Sequence, residues 1–288
     1  MQFVQRVLTD LTRCTSPTDY YRVQLEINKY ASPSDVAVLS NRPIQWSEDF
    51  DGWLNGLTAV VASIRKEPAP YQLHELDRAT SLYSGEARAS KLIVGFSGRA
   101  GLLLMPIAAV LQYLAPTGAD LLVVREGYRG DERNGGNGGS FVDMIERLRA
   151  AVGMTRYQEI RTFGTSAGGA AALAVGVLIG ATRAASFSGH LPSSGVTYRG
   201  SASVAEIEDI LRGARPATAF SCVYAADNKF DVKNAMALSR FLPLRHFPIA
   251  GVSEHNIVYA LHKRNELAKV FADVGLIDRP ASDNALMA

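Results

Sequence analysis

The spacing of apolar residues changes near residue 70. Before that point, Met1 to Leu11 reads as a short helix. Tyr21, Val23, Leu25 and Ile27 alternate with polar neighbours, the pattern of a half-buried strand, and Val36 and Val38 suggest a second. Phe50, Trp53, Leu54, Leu57, Val60, Val61 and Ile64 then recur at helical spacing, which predicts a helix ending near Pro68. Residues 1–70 carry no evident chemistry and are expected to form an N-terminal extension or a small subdomain.

From Tyr71 onward, short apolar runs alternate with longer helical stretches. Strands are predicted at Tyr71 to Leu76, Thr80 to Tyr83, Lys91 to Phe96, Ala119 to Arg125, Tyr157 to Phe163, Arg183 to Ser188, Thr218 to Tyr224 and Leu244 to Ile249. Helices are predicted at Leu103 to Leu114, Ser140 to Val152, Ala170 to Gly180, Val232 to Phe241 and Glu254 to Val274. Continuous apolar strands separated by helices argue an α/β protein with a mostly parallel sheet covered on both faces. The tail after Asp278 is expected to be disordered.

Composition adds little to this picture but excludes several classes. A chain of 288 residues, 47% hydrophobic and 20% charged, is ordinary for a globular protein of one large α/β domain. A net charge of +2 gives no reason to expect nucleic acid or an acidic membrane surface as partner. The N-terminus has charges interspersed and does not read as a secretory signal, and the longest apolar runs are too short for a membrane span, so a cytoplasmic location is expected. Cys14 and Cys222 are far apart and belong to no zinc-binding spacing. Gly135 to Gly139 lacks the Lys-Ser or Lys-Thr of a phosphate-binding loop, and no G-x-G-x-x-G follows a strand. Neither a cofactor nor a metal is expected.

Chemistry concentrates at Gly164–Thr165–Ser166–Ala167–Gly168, where a strand turns sharply into a small-residue helix. A serine at such a corner sits in strained backbone, so its neighbours two positions away must lack bulk. Its Oγ stands clear of the sheet edge, and the amide of Ala167, opening the helix, can face a developing negative charge. A serine hydroxyl needs a base within hydrogen-bond reach and a carboxylate to orient that base. Of five histidines, only His255 follows a late strand in a loop before the last helix, which makes it the expected base. His246 falls in a strand and His262 in a helix, whereas His190 follows a strand end and is a candidate pocket residue. For the acid, Asp227 follows the strand ending at Tyr224 by a short turn and is preferred. Asp231, the second choice, suits a cap for the helix beginning at Val232.

With Ser166, Asp227 and His255 in that order, the chain resembles the α/β-hydrolase superfamily over roughly Tyr71 to Val274. The resemblance implies an α/β-hydrolase domain over 71–278 with a short cap insertion at about 189–216. It also implies a second oxyanion donor in the loop Phe96–Ser97–Gly98–Arg99, from the amide of Gly98 or Arg99 beside that of Ala167. Loop residues Arg99, Arg129, Arg133 and Arg199 are expected near the site end of the sheet, and Arg129 is a candidate substrate contact with His190.

The expected function is a serine hydrolase that cleaves an ester or thioester of a small-molecule or carrier-bound acyl group through an acyl-enzyme on Ser166. Two alternatives stay open. One is an acyltransferase using the same triad in glycan or secondary-metabolite synthesis; the other is a non-catalytic interaction protein on the same fold.

Overall fold

The computed structural model of the protein describes residues 2–77, 79–85, 88–125, 141–191, 204–213 and 217–278. The tail 279–288, the glycine-rich loop within 126–140, most of the expected cap insertion, and Arg129, Arg133 and Arg199 lie outside the described residues.

Four helices lead the chain: α1 (Gln2–Leu11), α2 (Pro17–Tyr30), α3 (Pro33–Ser40) and α4 (Glu48–Ile64). The two strands expected at Tyr21 to Ile27 and Val36 to Val38 are therefore helices α2 and α3. Their starts explain why. Ser16–Pro17–Thr18–Asp19 and Ser32–Pro33–Ser34–Asp35 both form capping boxes. The Ser16 and Ser32 hydroxyls accept from the amides of Asp19 and Asp35, and each aspartate accepts from the serine's own amide. Val23 and Ile27, four apart, are the buried residues of α2, while Tyr21 is exposed. The alternation that suggested a strand thus crosses the helix from face to face.

In α4, Phe50, Leu54, Leu57 and Val61 make one buried stripe that packs with Val7, Ile27 and Val36. These helices rest against the sheet domain. Arg125, at the end of a core strand, donates to the Ser81 hydroxyl and to the Lys29 carbonyl at the end of α2, and its guanidinium lies 4.1 Å from the centre of the Tyr30 ring. Tyr83 Oη donates to the Lys29 and Tyr30 carbonyls, each at 3.2 Å. A buried cation and a phenol thus satisfy carbonyls that the helix end leaves open.

The remainder builds one eight-stranded sheet from β1 (Gln72–Asp77), β2 (Thr80–Ser84), β3 (Lys91–Phe96), β4 (Asp120–Val124), β5 (Glu159–Thr165), β6 (Arg183–Phe187), β7 (Ala219–Ala225) and β8 (Arg245–Ile249). The strand order is β1-β2-β4-β3-β5-β6-β7-β8. β2 runs antiparallel to both β1 and β4, and every later pairing is parallel. Leu122 and Val124 face a core that includes α6 (Phe141–Val152), α7 (Gly168–Ile179) and α8 (Val204–Arg212). Leu121 and Val123 face the other core, with α5 (Ile107–Leu114), α10 (Ile257–Lys263) and α11 (Leu267–Asp273). Burial on both faces is why these strands read as unbroken apolar runs. α9 (Lys229–Leu238) follows β7. Among the described residues, no helix is long and apolar enough to cross a membrane.

Several predicted helices differ in extent, among them α9, which begins three residues early. The one expected from Leu103 begins at Ile107, because Pro106 opens it and Leu104 adopts φ 59° in the turns before it. The closing helix is two, α10 and α11, divided at Asn265 with φ 56°.

Candidate active site

β5 ends at Thr165 and α7 starts at Gly168, leaving two residues to reverse the chain. Ser166 takes φ 53°, a left-handed conformation that costs a residue with a Cβ about 1–2 kcal/mol. The Ser166 amide donates to the Phe187 carbonyl, and its own carbonyl accepts from Gly169 and His190. The corner closes only because its flanks are bare. A Cβ on Gly164 would lie 2.1 Å from the Gly168 oxygen, and one on Gly168 would lie 2.3 Å from the Phe96 oxygen. Since backbone cannot yield there, Gly164→Ala is expected to destabilise the fold by about 3 kcal/mol or to abolish soluble protein. Urea denaturation would measure it.

Three side chains converge on this corner from separate segments of the chain. His255, between β8 and α10, places Nε2 2.9 Å from Ser166 Oγ, and its Nδ1 lies 2.7 Å from Asp231 Oδ1. Because a carboxylate oxygen can only accept, Nδ1 carries the proton and Nε2 offers its lone pair to the serine hydroxyl. The Asp231 side chain is fully buried, and its second oxygen accepts a 2.6 Å hydrogen bond from Ser188 Oγ. Ser188, just past β6, is itself held at φ 45°.

The preferred acid of the sequence reading, Asp227, is not the one in this arrangement. Its side chain is exposed, and its backbone amide donates to the Val252 carbonyl. The difference turns on where α9 begins. Asn228 is the cap, accepting from the amides of Phe230 and Asp231, so the helix starts at Lys229 rather than Val232. Asp231 is thereby released from capping and stands in the first turn, facing His255. The Asn228 side chain also donates to the Ser253 carbonyl at 2.9 Å, and Arg264 donates to the carbonyls of Ala250 and Gly251. These bonds pin the loop that carries His255.

The expected oxyanion donors divide in the same way. The Gly98 amide is engaged with the Leu102 carbonyl in a turn, so it is not a free donor. Gly98 serves instead by lacking a side chain, since a Cβ there would lie 3.0 Å from Ser166 Cβ. The amides of Arg99 and Ala167 have no hydrogen-bond partner among the described residues.

His190 also approaches the serine, with Nε2 3.5 Å from Oγ and Nδ1 2.8 Å from the Leu191 carbonyl, and its ring centre lies 6.4 Å from that of His255. Burial lowers its pKa below the ordinary histidine value, a shift only partly offset by the bond to Leu191. The remaining histidines are occupied elsewhere: His74 with Ser84, His246 with Ser239 and His262 with Tyr113. Sequence reasoning missed Ser188 and Phe230. The Phe230 ring, 54% exposed, lies 5.7 Å from His190 and 5.9 Å from His255. An apolar residue two positions after a helix cap was the available signal.

No family model matches the chain, and no curated protein matches its sequence. Solved structures do resemble it. A Staphylococcus aureus protein provisionally assigned as an esterase superposes with a TM-score of 0.52 at 10% identity, over 93% of this chain and 95% of that one. A hormone-sensitive lipase from a metagenome library shares 11% identity at a TM-score of 0.49, over 86% of this chain and 99% of its own. An α/β-hydrolase enzyme from a lagoon-sediment metagenome shares 14% identity at a TM-score of 0.48, over 70% of this chain and 98% of its own. With its strand order and flanking helices, the chain has the α/β-hydrolase fold.

Proposed function

We propose that the protein is a serine hydrolase that cleaves ester or thioester bonds through an acyl-enzyme on Ser166. The observation that carries this reading is the unbroken relay from Ser166 Oγ to His255 Nε2 at 2.9 Å and from His255 Nδ1 to Asp231 at 2.7 Å. In this reading Ser166 Oγ attacks the substrate carbonyl as its proton passes to His255 Nε2. The buried Asp231 carboxylate holds the imidazole in the required tautomer and stabilises the imidazolium. The amides of Arg99 and Ala167 receive the oxyanion, the protonated histidine returns its proton to the leaving alcohol or thiol, and water then releases the acyl group. Ser188 is a positioning residue, since it fixes the second oxygen of Asp231.

The test is labelling by a fluorophosphonate probe together with turnover of p-nitrophenyl esters. Stoichiometric modification of Ser166 with measurable turnover is expected; a folded protein that does neither overturns the proposal. The same assay gives a prediction for Ser188. Ser188→Ala removes one of two hydrogen bonds to a buried carboxylate, a loss of about 1.5–3 kcal/mol if felt fully in the transition state, so kcat is expected to fall roughly tenfold or more with KM unchanged.

A further inference from the structure

Among the described residues, the only hydrogen-bond partner near His190 Nε2 is the Ser166 hydroxyl, at a long 3.5 Å. The His190 Nδ1 faces the Leu191 carbonyl at 2.8 Å, and a carbonyl only accepts, so Nδ1 carries the hydrogen. Burial keeps the ring neutral at neutral pH. Nε2 is therefore a bare lone pair, and it looks toward Ser166 Oγ from 3.5 Å. His255 Nε2 is also a lone pair, at 2.9 Å from the same oxygen. One hydroxyl has one proton, and the shorter contact takes it. Once substrate displaces water from the site, His190 Nε2 stays unsatisfied unless the substrate brings a donor. The exposed Phe230 ring beside both imidazoles offers an apolar face next to that acceptor.

We propose that His190 is a specificity residue: its Nε2 accepts a hydrogen bond from a hydroxyl carried by the substrate close to the scissile bond, so that hydroxyl-bearing esters are the preferred substrates, with their C–H face on Phe230. The inference rests on the serine hydrolase reading. The hydroxyl can belong to the acyl part, as in a hydroxyacyl ester, or to the alcohol part, as in a polyol ester. A site that bonds a hydroxyl discriminates against the analogue lacking it far better than an apolar pocket discriminates by size.

Two matched pairs separate these sources: ethyl lactate against ethyl propionate, and glycerol monobutyrate against propyl butyrate, followed by acid release. The wild-type protein is expected to favour the hydroxyl-bearing member of one pair by about tenfold or more in kcat/KM. His190→Phe should bring that ratio close to one, and His190→Gln, which restores an acceptor oxygen, should recover part of it. A measurement on the unmodified protein guards against misfolded variants. The groups facing the ring are His255 from the β8–α10 loop, Arg99 from the β3 loop and Asp231 from α9. Acidification below the ordinary histidine range protonates His190 and turns Nε2 from an acceptor into a donor, so the substrate hydroxyl must reverse its role and the preference should change with pH. The rate ratio within a pair cancels the titration of His255, which both members share.

Equal turnover of both members in both pairs by a protein that takes the fluorophosphonate label overturns this inference and leaves the hydrolase reading standing. A preference that survives unchanged in a folded His190→Phe variant overturns it as well. A protein that takes no label and turns over no ester overturns both.

Discussion

Ser166→Ala is expected to lower kcat for ester hydrolysis by about a million-fold and to abolish fluorophosphonate labelling, with KM little changed. The size follows from what is removed. Without Oγ no acyl-enzyme forms, and only the oxyanion donors and substrate binding remain to assist direct attack by water. The substitution is also a clean probe of chemistry. Ser166 is held at φ 53°, and alanine keeps the Cβ and hence the same backbone strain. Thermal stability should therefore stay within about 0.5 kcal/mol of the parent. Because serine and histidine act as one unit, the double variant Ser166→Ala/His255→Ala should be no slower than Ser166→Ala alone. A multiplicative further loss would mean that His255 acts independently of Ser166 and would sink the relay.

Asp231→Asn is expected to reduce kcat by about ten-thousand-fold, whereas Asp227→Asn should leave it within about twofold. An asparagine at 231 can present its amide NH2 toward His255. The imidazole then turns to the other tautomer and meets Ser166 with an N–H instead of a lone pair. The Asp231 side chain is fully buried and accepts two hydrogen bonds, from Ser188 and from His255. Asp227 is exposed and, among the described residues, is engaged only through its main-chain amide. Steady-state kinetics of the two variants, with circular dichroism to verify folding, separates them. Equal losses, or the larger loss at Asp227, would remove Asp231 from the mechanism.

The sharp turn at Ser166 was legible because its signal is local. Gly164, Ser166 and Gly168 lie within five residues, and the crowding at Gly164 comes from the Gly168 main chain of the same turn, although that at Gly168 comes from the Phe96 and Ser97 carbonyls at the end of β3. His255 was legible for a related reason, since one histidine alone occupied a loop after the last strand. The acid was harder. Asp227 and Asp231 are four residues apart, and choosing between them required the first residue of α9, which depends on whether Asn228 or Asp231 caps the helix. A boundary shift of three residues changes Asp231 from a cap, whose side chain is held by the helix's own amides, into a first-turn residue free to face His255, so an uncertainty harmless to the fold decides the chemistry.

The N-terminal helices show the opposite limit. Alternation in Tyr21 to Ile27 is compatible with a strand, and the two Ser-Pro-x-Asp starts were the stronger evidence. What the chain alone determined is the set of local choices: a doubly buried sheet from continuous apolar runs, and one strained serine between glycines. What only the tertiary structure decided is which distant groups meet, namely Asp231 with His255, Ser188 behind them and His190 beside the serine. Local patterning follows from sterics and solvent exclusion within a few residues, which a single chain displays. The meeting of loops up to 89 residues apart depends on register and helix phase summed over the whole sheet, which no short stretch records.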